Sequence, residues 1–169
     1  MATQSHTRSS PDDVPITLDP PRLEHLCDLR VEVAPVIDAG SGPFGVRRVV
    51  PIIGGQVTGA QMRGRVVPAG ADFQLVTGGT TAHLDARYLI ELDDGATVFV
   101  HNTALRHASP ANHEKLLRGE TVAPEDVYFS GQPRFETGDP RWAWLSDRQF
   151  VARGRRAERA VLLSVWLLA

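Results

Sequence analysis

Polar side chains stand two residues apart in stretches of this chain that otherwise read as β-strands: Asp72-x-Gln74, Asp85-x-Arg87 and Arg134-x-Glu136. Asn102 and Arg106 share a face by the same period, and Tyr128 leads into the third pair. Side chains two apart on a strand project to one side of its sheet. Inside a closed barrel such groups converge on a pocket; outside it they are solvated surface. Carboxylates, a tyrosine, arginines and amides suit proton transfer on an organic substrate. A carboxylate takes the proton, a tyrosine or arginine stabilises the enolate or phenolate, and amides orient the molecule.

Other chemistries lack their spacings. His101, His107 and His113 form neither His-x-His nor His-Glu-x-x-His, so no metal site is expected. Gly40-Ser-Gly42-Pro-Phe-Gly45 carries proline and phenylalanine and no helix follows it, whereas a phosphate cradle needs N–H groups aimed by a helix start. No Gly-x-Ser-x-Gly elbow occurs. Cys27, the single cysteine, lies on an apolar parity and reads as an inert buried thiol, with no disulfide open to it. The expectation is chemistry without a cofactor.

The 169 residues suit one domain with a real core. A formal net charge of −2 gives no footprint for nucleic acid or an anionic membrane. Residues 1–15 lack an apolar run with a cleavage site and read as a disordered tail, leaving 16–169 as the domain. The apolar stretch Ala160 to Ala169 is about half the length that spans a bilayer. A cytoplasmic protein without membrane or nucleic-acid partners, and open to homo-oligomer formation, is expected.

The pattern that must position these groups is one of strands and turns. Leu23 to Val33 alternates as a half-buried strand, and its apolar face includes His25, read as a core histidine. Val46 to Ile53 ends at Gly54-Gly55; Gln56 to Val67 is a weaker strand; Pro68-Ala69-Gly70 turns into Ala71 to Thr77. Ala82 to Leu92 and Ala96 to Leu105 flank Asp94-Gly95, a hairpin signal. Ser109, Pro110 and Gly119 cap, start and stop one short helix. Val127 to Thr137 follows, and Phe150 to Gly154 pairs with Ala157 to Leu168, whose two apolar faces call for a covered position. The arginines at 153, 155 and 156 read as a solvated hairpin end. With no βαβ alternation, the fold class is all-β: an antiparallel β-barrel of about eight or nine strands with one short helix.

Parity sorts the candidates incompletely. Asp85 and Arg87 oppose the apolar face of their strand and read as facing water. Asn102 shares its face with Val98 and Val100, as a pocket wall nearing its mouth would. Asp72 and Gln74, beside Val76, are ambiguous. Tyr128, Arg134 and Glu136 share parity only if Gly131-Gln132-Pro133 introduces no bulge.

An ordered series of motifs resembles the domain family DUF3237, also called UPF0311. It comprises Gly45-x-Arg47, Ile53-Gly54-Gly55, Gly70-Ala71-Asp72-Phe73-Gln74, Asp85-x-Arg87-Tyr88, Asp94-Gly95 and Asn102 with Arg106. It continues through Tyr128-Phe129, Phe135-Glu136-Thr137, Trp144-Leu145 and Phe150-Val151. The resemblance runs from about Leu23 to Leu168. It implies a β-barrel similar in outline to allene oxide cyclase and dirigent proteins, and no assigned reaction. This chain departs from the family pattern in having Phe73 for tryptophan, Gly78-Gly79 for Asp-Gly, Ala104 for glycine and Ser130 for arginine.

On these motifs, Asp72 or Glu136 is expected as general base, with Asp72 preferred because Arg134 stands beside Glu136. Tyr128 would donate to the developing oxyanion, and Arg47 and Arg134 would bind an anionic or enolic oxygen. Gln74 and Asn102 would orient the substrate, with Phe73 and Trp144 as aromatic walls. The expected function is a cofactor-independent enzyme performing cyclisation, isomerisation or water addition/elimination on a small hydrophobic oxygenated molecule, as in secondary metabolism. A carrier or sensor using the same cavity, and a structural or oligomerisation module, are the alternatives.

Overall fold

The structure is a computed structural model and describes residues 18–169; the expected tail over 1–15 lies outside them. Nine strands follow one another in the chain: β1 (Leu23–Val33), β2 (Ile37–Gly42), β3 (Gly45–Thr58), β4 (Gly64–Thr77), β5 (Thr81–Leu92), β6 (Thr97–Ala108), β7 (Val127–Glu136), β8 (Phe150–Ala157) and β9 (Ala160–Leu168). Each pairs antiparallel with its neighbour in the order β1-β9-β8-β7-β6-β5-β4-β3-β2. β1 also pairs with β3, from Asp28 opposite Thr58 to Val33 opposite Ile52, and this closes the ring. The result is an eight-stranded antiparallel barrel with β2 as an extra strand on β3. A ring without edges leaves each strand one inner and one outer face.

The inner face is apolar over much of its height. Cys27, Met62, Tyr88, Ile90, Val98, Phe135 and Phe150 are buried there, with the Phe135 and Phe150 rings edge to face at 5.0 Å. α1 (Pro110–Leu117) lies in the β6–β7 connection. Its start is fixed by Ser109, whose Oγ accepts from the N–H of Asn112 at 3.3 Å, with Pro110 in the first turn. The 3-10 segment Pro140–Asp147 joins β7 to β8 and so covers the opposite end. Trp142 donates from Nε1 to Asp94 Oδ2 at 2.9 Å and ties that cover to the β5–β6 hairpin.

Three local features differ from the sequence expectation. Gly54-Gly55 and Pro68-Ala69-Gly70 end no strand; they lie within β3 and β4, where register shifts bend the strands around the ring. Residues 37–42, which fall between the strands read at Leu23 to Val33 and Val46 to Ile53, form the additional strand β2. His25 is exposed, because a register shift between His25 and Cys27 puts Leu26 and Cys27 both inward and turns His25 out. There it bonds Asp28 at 3.2 Å and meets the edge of Trp166. Cys27 is fully buried and its thiol is pushed up to about 12, chiefly by burial.

Closure at β1–β3 needs glycine at position 55. Its φ is +138°, and a Cβ there would lie 1.9 Å from the Arg30 carbonyl oxygen. Gly55→Ala is expected to cost at least about 2 kcal/mol. Gly78→Ala, at φ +57° in open space in the β4–β5 turn, should cost about 1–2 kcal/mol from backbone conformation alone. Urea midpoints of the two variants measure the difference; a smaller loss for Gly55→Ala than for Gly78→Ala contradicts the closure argument.

Candidate active site

Strand register brings the inner polar groups together. Val50, Asp72, Ala86 and Asn102 are successive cross-strand partners on β3, β4, β5 and β6. One step along, Arg48 pairs with Gln74, and Gln74 with Leu84. Ala86 is small enough to leave space between Asp72 and Asn102. Gly131 serves Asn102 in the same way: a Cβ there would come within 2.7 Å of Asn102 Oδ1. Tyr88 pairs with Gly70, two residues from Asp72, which makes Tyr88 a diagonal inner neighbour of the carboxylate.

These groups border an internal cavity of about 40 Å³ lined by Asp72, Gln74, Tyr88, Asn102, Arg106 and Arg156, with Val31, Val33, Val50 and Leu163 as apolar walls. Gln74 Nε2 donates to Asp72 Oδ2 at 2.7 Å, and the backbone N–H of Asp85 donates to Oδ1 at 3.1 Å. Burial nevertheless raises the Asp72 pKa; those two hydrogen bonds and the charge of Arg106 oppose the shift without cancelling it. Burial also drives the Tyr88 hydroxyl pKa upward, so Tyr88 stands protonated beside it.

Arginines crowd the end under α1. Arg48 and Arg106 are buried, Arg156 is partly buried, and they come from β3, β6 and β8. Arg48 Nη2 donates to the carbonyl of Leu117 at the helix C-terminus, 3.2 Å away. Arg106 Nε and Arg156 Nε are buried without a hydrogen-bond partner, as is Asn102 Oδ1. Burial lowers the Arg106 pKa to about 10, which leaves it charged at neutral pH. His113 of α1 is buried, and its pKa is lowered by burial first and then by Arg106 and Arg48.

The nine expected site residues divide by face. Asp72, Gln74 and Asn102 meet at the cavity. Tyr128, Arg134 and Glu136 do share parity, because β7 pairs with β6 without a bulge, but that parity is outward and all three are exposed. Tyr128 lies in an outer groove with Leu105 and Trp166, so the wall separates it from Asp72 and the expected partnership does not form. Arg47 and Phe73 are exposed, one residue out of phase with the inward Arg48, Asp72 and Gln74. Trp144, in the 3-10 cover, packs at a tilt against Trp142 and against Phe150 of β8, away from the cavity lining. Ser130 also faces outward, so its difference from the family pattern removes no charge from the lumen. Asp85 and Arg87 face out as their parity indicated, joined at 3.1 Å, with His101 at 2.9 Å from Asp85.

Sequence reasoning passed over Tyr88, Arg48 and Arg156. Tyr88 stood on the apolar parity of its strand and inside a recognised motif, which was signal enough. Arg156 was assigned to a hairpin end, whereas the tight turn lies at residues 158–159 and Arg156 alternates inward with Ala152 and Gly154.

Because Asp72 holds its proton more tightly folded than unfolded, its ionisation weakens the fold as pH rises from the ordinary aspartate value of 3.8 through the raised folded-state value. Asp72→Asn removes that dependence. The stability of Asp72→Asn relative to wild type should therefore increase with pH across this window and level off above it, as read by urea unfolding at a series of pH values. A flat or decreasing difference contradicts the raised pKa.

Residues 21–168 match the family described as Protein of unknown function (DUF3237). A UPF0311 protein of Bradyrhizobium diazoefficiens is 42% identical over 147 residues, covering 86% of this chain and 94% of that one. A UPF0311 protein of Rhodopseudomonas palustris is 41% identical over 145 residues, covering 84% and 95%. Among solved structures, a conserved protein of unknown function from Rhodopseudomonas palustris superposes with a TM-score of 0.84 at 37% identity, covering 90% of this chain and all of that one (100%). A β-barrel-like protein from Acinetobacter baumannii gives 0.80 at 35%, covering 91% and 99%. An enzyme from Penicillium herquei gives 0.70 at 18% identity over 92% of this chain and 100% of its own, a likeness of fold. With its ordered motifs, its closed barrel and these relatives, the chain belongs to the DUF3237 (UPF0311) family.

Proposed function

We propose that the lumen is the active site of a cofactor-independent enzyme that performs acid–base chemistry on a small hydrophobic oxygenated molecule. The reaction class is cyclisation, isomerisation or addition/elimination of water. The observation that carries this reading is the inward Asp72, its pKa raised by burial, diagonal to a protonated Tyr88, with both lining one cavity inside the barrel.

A carboxylate with a raised pKa is a stronger base than an exposed one, so it removes a proton from carbon or oxygen more readily at neutral pH. Tyr88 takes the role first expected of Tyr128 and donates to the oxygen on which negative charge develops. Its high pKa keeps the proton in place until that charge appears. Gln74 orients the Asp72 carboxylate through Oδ2, and Asn102 offers an unpaired buried Oδ1 to a substrate donor. The aliphatic walls exclude water and strengthen each of these interactions.

Proton abstraction can be read without the natural reaction, as exchange of acidic C–H for deuterium in D2O across a panel of small enolisable ketones and phenols. Asp72→Asn should lower exchange by about 10²–10⁴-fold and Tyr88→Phe by a smaller factor, while Tyr128→Phe leaves it unchanged. Native folding of each variant is checked by its melting transition. Exchange that survives both Asp72→Asn and Tyr88→Phe leaves the lumen as a ligand-binding cavity without chemistry.

A further inference from the structure

We propose that the α1-capped end of the lumen binds a carboxylate, so that the substrate class is a small organic acid held by Arg106 and Arg156 with its reacting part toward Asp72 and Tyr88. Binding of the acid stands on its own; its role as substrate rests on the acid–base reading above.

The charge balance at this end carries the inference. Two guanidiniums, on Arg106 and Arg156, share the cavity with one carboxylate, that of Asp72, while Arg48 beside them is acted on by Asp38, its cross-strand partner on β2. Among the described residues none of the three forms an ion pair within 4.0 Å; outward arginines such as Arg47 and Arg134 form none either, but water solvates those, whereas Arg48 and Arg106 are buried and Arg156 is partly so. Arg48 is compensated in part by the Leu117 carbonyl at the C-terminal end of α1. Arg106 is only 5% exposed, and its Nε has no partner; the Nε of Arg156 is in the same condition. Both side chains line the cavity. A buried cation without a partner is costly, and an anion within hydrogen-bond reach offsets that cost.

The chemistry of the anion follows from the surroundings. Guanidinium is planar and presents paired N–H donors that match the two oxygens of a carboxylate. The aliphatic walls from Val31, Val33, Val50 and Leu163 suit an organic body and offer nothing to a free inorganic ion. Asp72 in the same space disfavours a dianion, because like charges in a low-dielectric cavity repel strongly. A monoanion with a small apolar group meets all three conditions.

Calorimetric titration with acetate, with its neutral counterpart acetamide and with inorganic phosphate tests this, acetate being small enough for a cavity of about 40 Å³. Acetate should bind at least about tenfold more tightly than acetamide or phosphate. Arg156→Gln and Arg106→Gln should each weaken acetate at least about tenfold, and the outward Arg153→Gln should not. Arg156 is partly exposed, so its variant keeps the test decisive should Arg106→Gln fail to fold. Equal affinity for acetate and acetamide, preference for phosphate, or full acetate affinity in Arg156→Gln overturns the proposal. Asp72→Asn separates the two readings: it should retain acetate binding while losing proton exchange. Lost exchange without any acetate binding sinks the carboxylate site alone. Acetate binding with exchange intact in Asp72→Asn sinks the acid–base site alone.

Discussion

Closure of the sheet is the constraint on which the rest depends. β1 bonds β9 along one edge and β3 along the other, so the sheet closes on itself, narrowest at the two residue pairs that join β7 to β8, and each strand of the ring has a definite inside. Once that holds, the two-residue period decides which of two adjacent side chains enters the lumen. Arg47 and Arg48 are chemically alike, yet one is solvated and the other is buried against the helix end. The same rule admits Asp72 and Gln74 and turns Phe73 out. Glycines allow the bends that closure needs, most plainly at Gly55, where the Arg30 carbonyl occupies the place of a side chain.

The enclosed space is divided along its height. Toward the 3-10 cover, aromatic and aliphatic side chains fill it. Toward α1 it holds one carboxylate, two amides and the guanidiniums of Arg106 and Arg156 around a small void, with Arg48 on an adjoining one. Each polar group there is worth more than on the surface, because little water competes. Asp72 shows the resulting balance: it gains two hydrogen bonds and a nearby arginine, and burial still outweighs them. The arginines show the opposite side of the same physics, with donors that the protein's own described side chains leave unmatched.

Much of the architecture was legible in the sequence because it follows from local pattern. Alternation marked the long strands, Asp94-Gly95 marked the hairpin, and Ser109, Pro110 and Gly119 bracketed the helix. What misled was the same pattern at irregular points. Gly54-Gly55 and Pro68-Ala69-Gly70 look like strand ends in one dimension and act as bends in a continuous strand. A register shift after His25 reverses the parity on which its core placement rested. Asp72, Gln74 and Asn102 were grouped from residue type and spacing, and strand register brings them to one cavity, whereas the facing of Asp72 and Gln74 stayed open in the sequence. Tyr128, Arg134 and Glu136 were grouped correctly with one another and assigned to the wrong face, since grouping follows from spacing alone whereas the choice of face needs the closed ring. Tyr88 was hidden by its own suitability as a core residue.

The central claim is that the barrel holds Asp72 as an inward carboxyl whose pKa is raised by burial. Carbon-13 NMR titration of the aspartate side-chain carboxyls, with the Asp72 signal assigned by its loss in Asp72→Asn, measures this directly. The account predicts an inflection for Asp72 above the ordinary aspartate value of 3.8 and above that of the outward, arginine-paired Asp85, whose pKa is lowered. An Asp72 inflection at or below that of Asp85 would contradict it.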